Sequence, residues 1–278
     1  MNPFKALFEL TAVNIKCTKQ SFSMAGSELK KKYSSTLFGW AWALVRPIVF
    51  ILVYWFAMNV GIRGNKPVEL ADGTKIQYIF WMIPGVITWF VLQETLSAGV
   101  VCVRHNSHLV NKMLFPVGTI PIFSTISYFF SHVLLIIITI GIFLISGQGL
   151  TLYMLQLPFY FLLLFVFCCI TATLISTLGV VSRDFEQLVK AILNVFFWLS
   201  PVLWDISKIG DKYKVIRTVI QLNPYNYFIT GYRDAFLGQA WFWQHWKYTP
   251  YVIGFIIVYA LFTAALHKKL SPEFADVL

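Results

Sequence analysis

The sequence predicts an all-α membrane protein, and three observations carry that prediction. Of its 278 residues, 58% are hydrophobic, only 12% are charged, and the mean hydropathy is +0.70. Soluble domains carry about 25% charged residues. From Met113 to Ser182 the chain runs without one Asp, Glu, Lys or Arg. As one continuous helix that run would reach roughly 105 Å, about three times the hydrocarbon thickness of a bilayer. It must fold back, and Ser146-Gly147-Gln148-Gly149 is the strong turn cluster near its middle.

Taken in order, the elements begin with an amphipathic stretch over residues 3–22. Phe4, Leu7, Phe8, Ala12 and Ile15 recur at helical spacing, with Lys5, Glu9, Lys16 and Lys19 elsewhere on the wheel. This stretch is too charged to span, so it is expected to lie in the headgroup plane within a basic N-terminal segment, 1–35. Lys30-Lys31-Lys32 directly precedes the first apolar run. Six spans are expected, at 36–60, 77–101, 118–146, 153–181, 187–204 and 248–266. The fifth is the weakest, because Pro201 interrupts the short stretch between Lys190 and Asp205. It is expected to reach the outer surface and turn. Residues 205–247 follow, too polar to span and too apolar for a solvated loop, with Asn223-Pro224 breaking an apolar stretch. They read as a re-entrant or interfacial outer segment, tolerable only where protein covers it or a cavity abuts it.

Six crossings put both termini on one side. The basic N-terminal segment and Lys268-Lys269 assign that side to the cytoplasm of a plasma membrane. Against this, the outer segment also carries basic residues, among them Lys208, Lys212, Lys214 and Arg217. No compact apolar leader with a small-residue cleavage site is visible at the N-terminus. No repeat or linker divides the chain, which reads as one domain. The four Cys have no metal-ligand spacing and read as packing residues.

Few groups can carry chemistry. Arg46 lies within the first apolar stretch and Glu94 within the second. Ionisable side chains there face a cavity or a partner. Arg46 suits a phosphate, because the guanidinium fork matches phosphate oxygens; snorkelling to headgroups or pairing with Glu94 is the plainer alternative. A short polar loop at 102–116 carries Arg104, His105, Asn106, His108 and Lys112. Its two His have no third ligand nearby, so a helix that grips a cytoplasmic partner is favoured over a metal site or a plain turn. Trp40, Trp42, Tyr54, Trp55, Trp81, Trp89 and Phe196-Phe197-Trp198 group densely. They offer stacking faces for a sugar polymer or, residue by residue, an aromatic belt facing lipid. There is no Gly-x-x-x-x-Gly-Lys-Ser/Thr loop, so ATP is not bound here through a Walker site. Paired acidic residues for sugar transfer and a Ser–His or His–Asp arrangement for acyl transfer are also missing from the pattern.

The segment Tyr33-Ser34-Ser35-Thr36-Leu37-Phe38-Gly39-Trp40-Ala41-Trp42 with Arg46-Pro47 resembles the start of ABC-2 polysaccharide and teichoic-acid export permeases. So do Arg183-Asp184, Ser200-Pro201-Val202-Leu203-Trp204, Leu222-Asn223-Pro224, Arg233 and the ending Pro272-Glu273-Phe274-Ala275-Asp276-Val277-Leu278. These marks cover nearly the whole chain in family order. Val53-Tyr54-Trp55-Phe56 followed by Gly61-Ile62-Arg63-Gly64 is most similar to the wall-teichoic-acid permeases of Gram-positive bacteria. Phe38 stands where many members carry Leu.

The resemblance implies a homodimer of six-span subunits in a bacterial cell membrane, each bound to a cytoplasmic ATPase subunit that holds ATP and Mg. This chain itself would need no cofactor, no metal and no nucleic acid. Its substrate would be undecaprenyl-diphosphate-linked teichoic acid or a related polysaccharide. Lys30, Lys31, Lys32 and Arg46 would form the lipid-diphosphate entrance. Trp40, Trp42, Tyr54, Trp55, Trp89, Phe196, Phe197 and Trp198 are candidates for a glycan path. Arg104, His105, Asn106, His108, Lys112 and Arg183 would couple to the ATPase. Two other readings stay open from the residues alone: an intramembrane transferase acting on a lipid-linked sugar, and an ion-coupled secondary transporter.

Overall fold

A computed structural model of the chain describes residues 2–34, 37–113 and 115–274. Among them are eleven α-helices and one two-stranded hairpin. Helices α1 (Pro3–Lys16) and α2 (Thr18–Tyr33) replace the single amphipathic stretch, with the break at Cys17. Asn2 caps α1 by accepting the Phe4 N–H at 3.0 Å, and Pro3 starts the helix where no N–H is needed. Phe4, Phe8, Ile15 and Phe22 are exposed.

The chain then enters α3 (Trp42–Trp55), which ends in a π-helical turn over Phe56–Ile62. A small hairpin, β1 (Val68–Glu69) and β2 (Lys75–Ile76), leads into α4 (Tyr78–His105) and the short α5 (Ser107–Met113). Helices α6 (Ile120–Ile145) and α7 (Leu157–Val181) follow, then α8 (Asp184–Leu199), α9 (Lys214–Leu222), α10 (Pro224–Leu237) and α11 (Tyr248–Leu270). The uncharged run does fold back, as α6 and α7, turning at Gly147 and Gly149, both with positive φ.

Five helical segments among the described residues are long and apolar enough to cross a membrane: Trp42–Ile62, Tyr78–His105, Val117–Ile145, Leu152–Val181 and Tyr248–Leu270. The expected sixth is corrected. Its stretch, 187–204, forms α8, a helix of only 16 residues that stops at Ser200-Pro201. Even so, this strand of chain travels antiparallel to α4 along its length. Glu186 meets Arg104 at the end of α4, Phe197 packs on Trp89 in its middle at 5.2 Å, and the Leu203 carbonyl accepts from Tyr78 Oη at its start. Beyond α8 the chain leaves the helix at Ser200 and continues through turns and bends over residues 201–204, because Pro201 cannot continue the helical hydrogen-bond ladder.

Helix α4 is the hub. It packs against α3, α6, α7, α8 and α10 and is buried over most of its surface, whereas α3 is largely exposed. Residues 205–247, expected to form a re-entrant or interfacial outer segment, hold two helices in different settings. Helix α9 exposes Val215, Ile216, Val219 and Leu222 at helical spacing beside Lys214 and Arg217, the pattern of a helix in the interface plane. Helix α10 runs into the bundle against α4, α7 and α11. It is capped by Asn223, whose side chain accepts the Tyr225 N–H, and it ends at Gly238 in the left-handed region.

Gly231 lets α10 approach α7. A Cβ there would overlap the ring of Tyr160, which is itself fully buried. Gly231→Ala should therefore destabilise the protein by roughly 1–3 kcal/mol, the cost of overpacking. A lowered unfolding midpoint in detergent, with Gly141→Ala (open space at its Cβ) as the control, checks this.

Candidate functional site

Two polar centres stand apart along α4, one beside Glu94 and one beside Trp81. At the end bearing the N-terminal helices, α2 lies against α6 and presents Glu28 and Lys32 to it. Ser124 donates to Glu28 Oε1 at 3.2 Å, while Glu28 Oε2 is buried without a partner. Lys32 Nζ sits 3.8 Å from Glu94 Oε2 and 4.1 Å from the centre of the Tyr128 ring. Glu94 therefore pairs with Lys32, and the alternative pairing with Arg46 does not form. Burial pulls the Lys32 ammonium below the usual lysine range; Glu94 works against that and Arg46, close enough to repel, adds to it. Lys30, Lys31 and Arg46 are exposed, and Arg46 makes no ion pair or hydrogen bond with another described residue. Of the four cations expected at one entrance, Lys30, Lys31, Lys32 and Arg46, the structure brings Lys32 and Arg46 near each other, with Glu94 of α4 paired to Lys32.

Burial pushes the Glu28 carboxyl above the ordinary glutamate range, against the pull of Ser124 and Lys32. A raised folded-state value means that the folded protein holds the proton more tightly. The contribution is fully present below the unfolded value, about 4.3, and is lost as pH rises through the folded value. Glu28→Gln removes this dependence. Its unfolding midpoint should match wild type at pH 4 and exceed it increasingly as pH rises from there; parallel curves would refute the assignment.

The expected ATPase-coupling residues fall around the end of α4. Arg104 is drawn inward: Nη1 donates to the Gly179 carbonyl at 2.6 Å and Nη2 to Glu186 at 2.8 Å. It clamps α4, α7 and α8 together. A Cβ on Gly179 would run into the Val100 carbonyl, so this joint closes backbone to backbone. Asn106 terminates α4, its amide donating to the Cys102 carbonyl. His105, His108 and Arg183 are exposed, and the side chain of Lys112 lies outside the described residues. No group of three or more His, Cys, Asp or Glu among the described residues could hold a metal.

The aromatic candidates separate by depth. Trp89 is 1% exposed and donates Nε1–H to Gln93; Phe197 is also buried, against Trp89, Phe50 and Tyr54. Both belong to the core and support the aromatic surface from behind. Trp198 is exposed and touches Tyr54, while Trp42, Trp55 and Phe196 are half-buried. The side chain of Trp40 lies outside the described residues, as do Ser35, Thr36 and the ending Ala275–Leu278.

At the hairpin end, one residue holds the turn that follows α8. Arg233 of α10 donates Nε–H to the Trp81 carbonyl at 3.2 Å, Nη1–H to Pro201 at 2.7 Å and Nη2–H to Val202. Its guanidinium lies 3.5 Å over the Trp81 ring. A guanidinium can serve several carbonyls at once because its donors form a rigid planar fork. Asn223 donates to Ser200 Oγ at 3.4 Å while capping α10. The motif residues Ser200–Trp204, Asn223-Pro224 and Arg233, far apart in sequence, thus form one assembly. The sequence marked them but did not reveal that they hold the turn after α8 against α4 and α10. Asp234, paired with His245 at 2.7 Å, stands beside this assembly and was not singled out from sequence.

Comparison with known proteins fits this architecture. The chain is 23% identical over 256 residues to an O-antigen export system permease protein RfbA of Klebsiella pneumoniae, covering 92% of this chain and 93% of that one. It is 24% identical over 223 residues to the protein of the same name in Myxococcus xanthus, covering 80% of each. Residues 19–237 match the family ABC-2 type transporter, and the chain belongs to that family as a transport membrane component.

Proposed function

We propose that the chain is the permease subunit of an ABC exporter that moves a lipid-diphosphate-linked polysaccharide from cytoplasm to the outside. The observation that carries this is the likeness to O-antigen export permeases over nine-tenths of the chain. The inner cation cluster adds a physical reason: Lys30, Lys31 and Arg46 stand exposed beside the pair Lys32–Glu94, and exposed cations of this kind attract a diphosphate headgroup. The finer reading, wall teichoic acid as cargo, rests on Val53–Phe56 and Gly61–Gly64.

A separate cytoplasmic ATPase supplies the driving force, received at α5 and the exposed His105, His108 and Arg183. A second copy completes the channel. The weakly covered faces of α3 and α8, with Val49, Leu52, Val53, Phe56, Val195 and Trp198 exposed, suit such a partner. Tyr54 and Trp198 then face the glycan, with Trp42, Trp55 and Phe196 flanking them. The common end of Glu9 and Lys268, which pair directly, is the cytoplasmic one.

The test is reconstitution with the partner ATPase in liposomes loaded with lipid-linked polymer. ATP-dependent appearance of polymer on the far side is expected. ATP hydrolysis without polymer movement, for both teichoic-acid and O-antigen-type substrates, would refute the proposal. Movement of only the latter would refute the teichoic-acid reading alone.

A further inference from the structure

A polar cavity of about 440 Å³ opens at the hairpin end, remote from the inner cations. It is bounded by Glu69 of the hairpin, Asp205 after the turn that follows α8, Asn226, Arg233 and Asp234 of α10, and Gln239 beyond it. Such a volume lies in the range of small-molecule sites. Its walls are fixed rather than loose. Arg233 is held by three carbonyls, Asp234 by His245, and the Gln239 amide oxygen accepts the Ala71 N–H at 3.2 Å.

Asn226 is the unexplained group. It lines the cavity, is 8% exposed, and its amide oxygen has no hydrogen-bond partner. A buried acceptor left empty costs about 1–3 kcal/mol, so a residue of this kind on a cavity wall signals a donor supplied from outside the chain. The remaining polar groups agree on what that donor is. Three carboxylates (Glu69, Asp205 and Asp234) line the cavity against two cations, Arg233 and Lys208, and Arg233 is already committed to backbone. Carboxylates and an amide oxygen accept hydroxyl protons and repel phosphate. Metal coordination is not on offer, since no competent ligand group exists among the described residues.

We propose that this cavity is a saccharide site that binds the hydroxyls of one or two uncharged sugar rings at the outer mouth. It rests on the glycan-export reading and deepens it: the site would hold the neutral sugar rings of the emerging polymer rather than any phosphate group it carries.

The test uses the full chain in detergent, with saturation-transfer NMR and titration calorimetry. Maltotriose and N,N′-diacetylchitobiose are the neutral probes and a glycerol-phosphate trimer is the anionic one. At least one neutral probe is expected to bind. Asn226→Ala should weaken it about fivefold, the effect of one neutral hydrogen bond, and Asp205→Asn, which removes a charged acceptor, at least as much, with both variants still folded. Asp205→Asn is a surface-proximal exchange that keeps shape, so it remains informative should Asn226→Ala fail to fold. No binding of either sugar overturns the site, as does wild-type affinity in the folded variants or tighter binding of the glycerol-phosphate trimer. Because binding is read without ATPase or transport, a chain that exports polymer yet binds no sugar sinks this site alone. One that binds sugar but exports nothing sinks the exporter reading alone.

Discussion

Arg233→Met should unfold in detergent at least about 10 °C below wild type, the largest loss expected of any single substitution here. The three carbonyls that Arg233 serves belong to Trp81, Pro201 and Val202, all buried. Each stranded carbonyl costs about 1–3 kcal/mol, against a total stability of about 5–15 kcal/mol. Removing the cation returns its own desolvation cost, which is real for a buried guanidinium. That refund does not win, because Pro201 prevents the freed carbonyls from finding a helical partner. Lysine cannot substitute: a point ammonium lacks the planar fork, so Arg233→Lys should recover only part of the loss. Gly85→Ala provides an independent probe, since its new Cβ would lie 2.9 Å from Arg233 Nη2 and 3.3 Å from the Val202 carbonyl. Lys214→Met, on the exposed face of α9, should leave the midpoint unchanged. A midpoint for Arg233→Met within about 2 °C of wild type would show that water, not Arg233, satisfies the break.

How much of this was legible in sequence follows from which forces are local. Span existence was readable, because hydropathy and the absence of charge in residues 113–182 are properties of the composition itself. So was the weakness of the fifth crossing, since Pro201 and its short apolar stretch announce a break. The repair was not readable. Nothing in the vicinity of Arg233 says that its donors reach Pro201, 32 residues away, and Trp81, 152 away. The same limit explains Lys32 and Glu94, which pair across 62 positions only because α2 packs across α6 beside α4. Trp89 and Trp198 looked alike as aromatic residues in apolar stretches; one is core and the other surface because α4 is enclosed on most sides and α8 is not. Arg104 reads as a loop cation available to a partner, yet the close approach permitted by Gly179 turns it inward to Glu186.

Arg46→Ala should lower the stimulation of the partner ATPase by lipid-diphosphate substrate about tenfold to a hundredfold in apparent affinity, while the basal ATPase rate stays unchanged. The range follows from one charge-assisted hydrogen bond to phosphate, about 1.5–3 kcal/mol. Arg46 is the cation to test first because it is exposed and unpaired among the described residues, so its donors are free for a ligand. Lys32 differs. It is already engaged with Glu94 and the Tyr128 ring, and its removal leaves Glu94 without its cation beside Arg46. A carboxylate released in this way can turn to Arg46 and mask it. Lys32→Ala should therefore harm substrate response as much as Arg46→Ala, and Lys32→Ala combined with Glu94→Gln should recover part of it. If Lys32 instead bound phosphate directly, the double variant would be no better than the single one. Titrating lipid-diphosphate against ATPase rate for the four proteins separates the two mechanisms, and an unaltered response in Arg46→Ala would return that arginine to anchoring α3 at the headgroups.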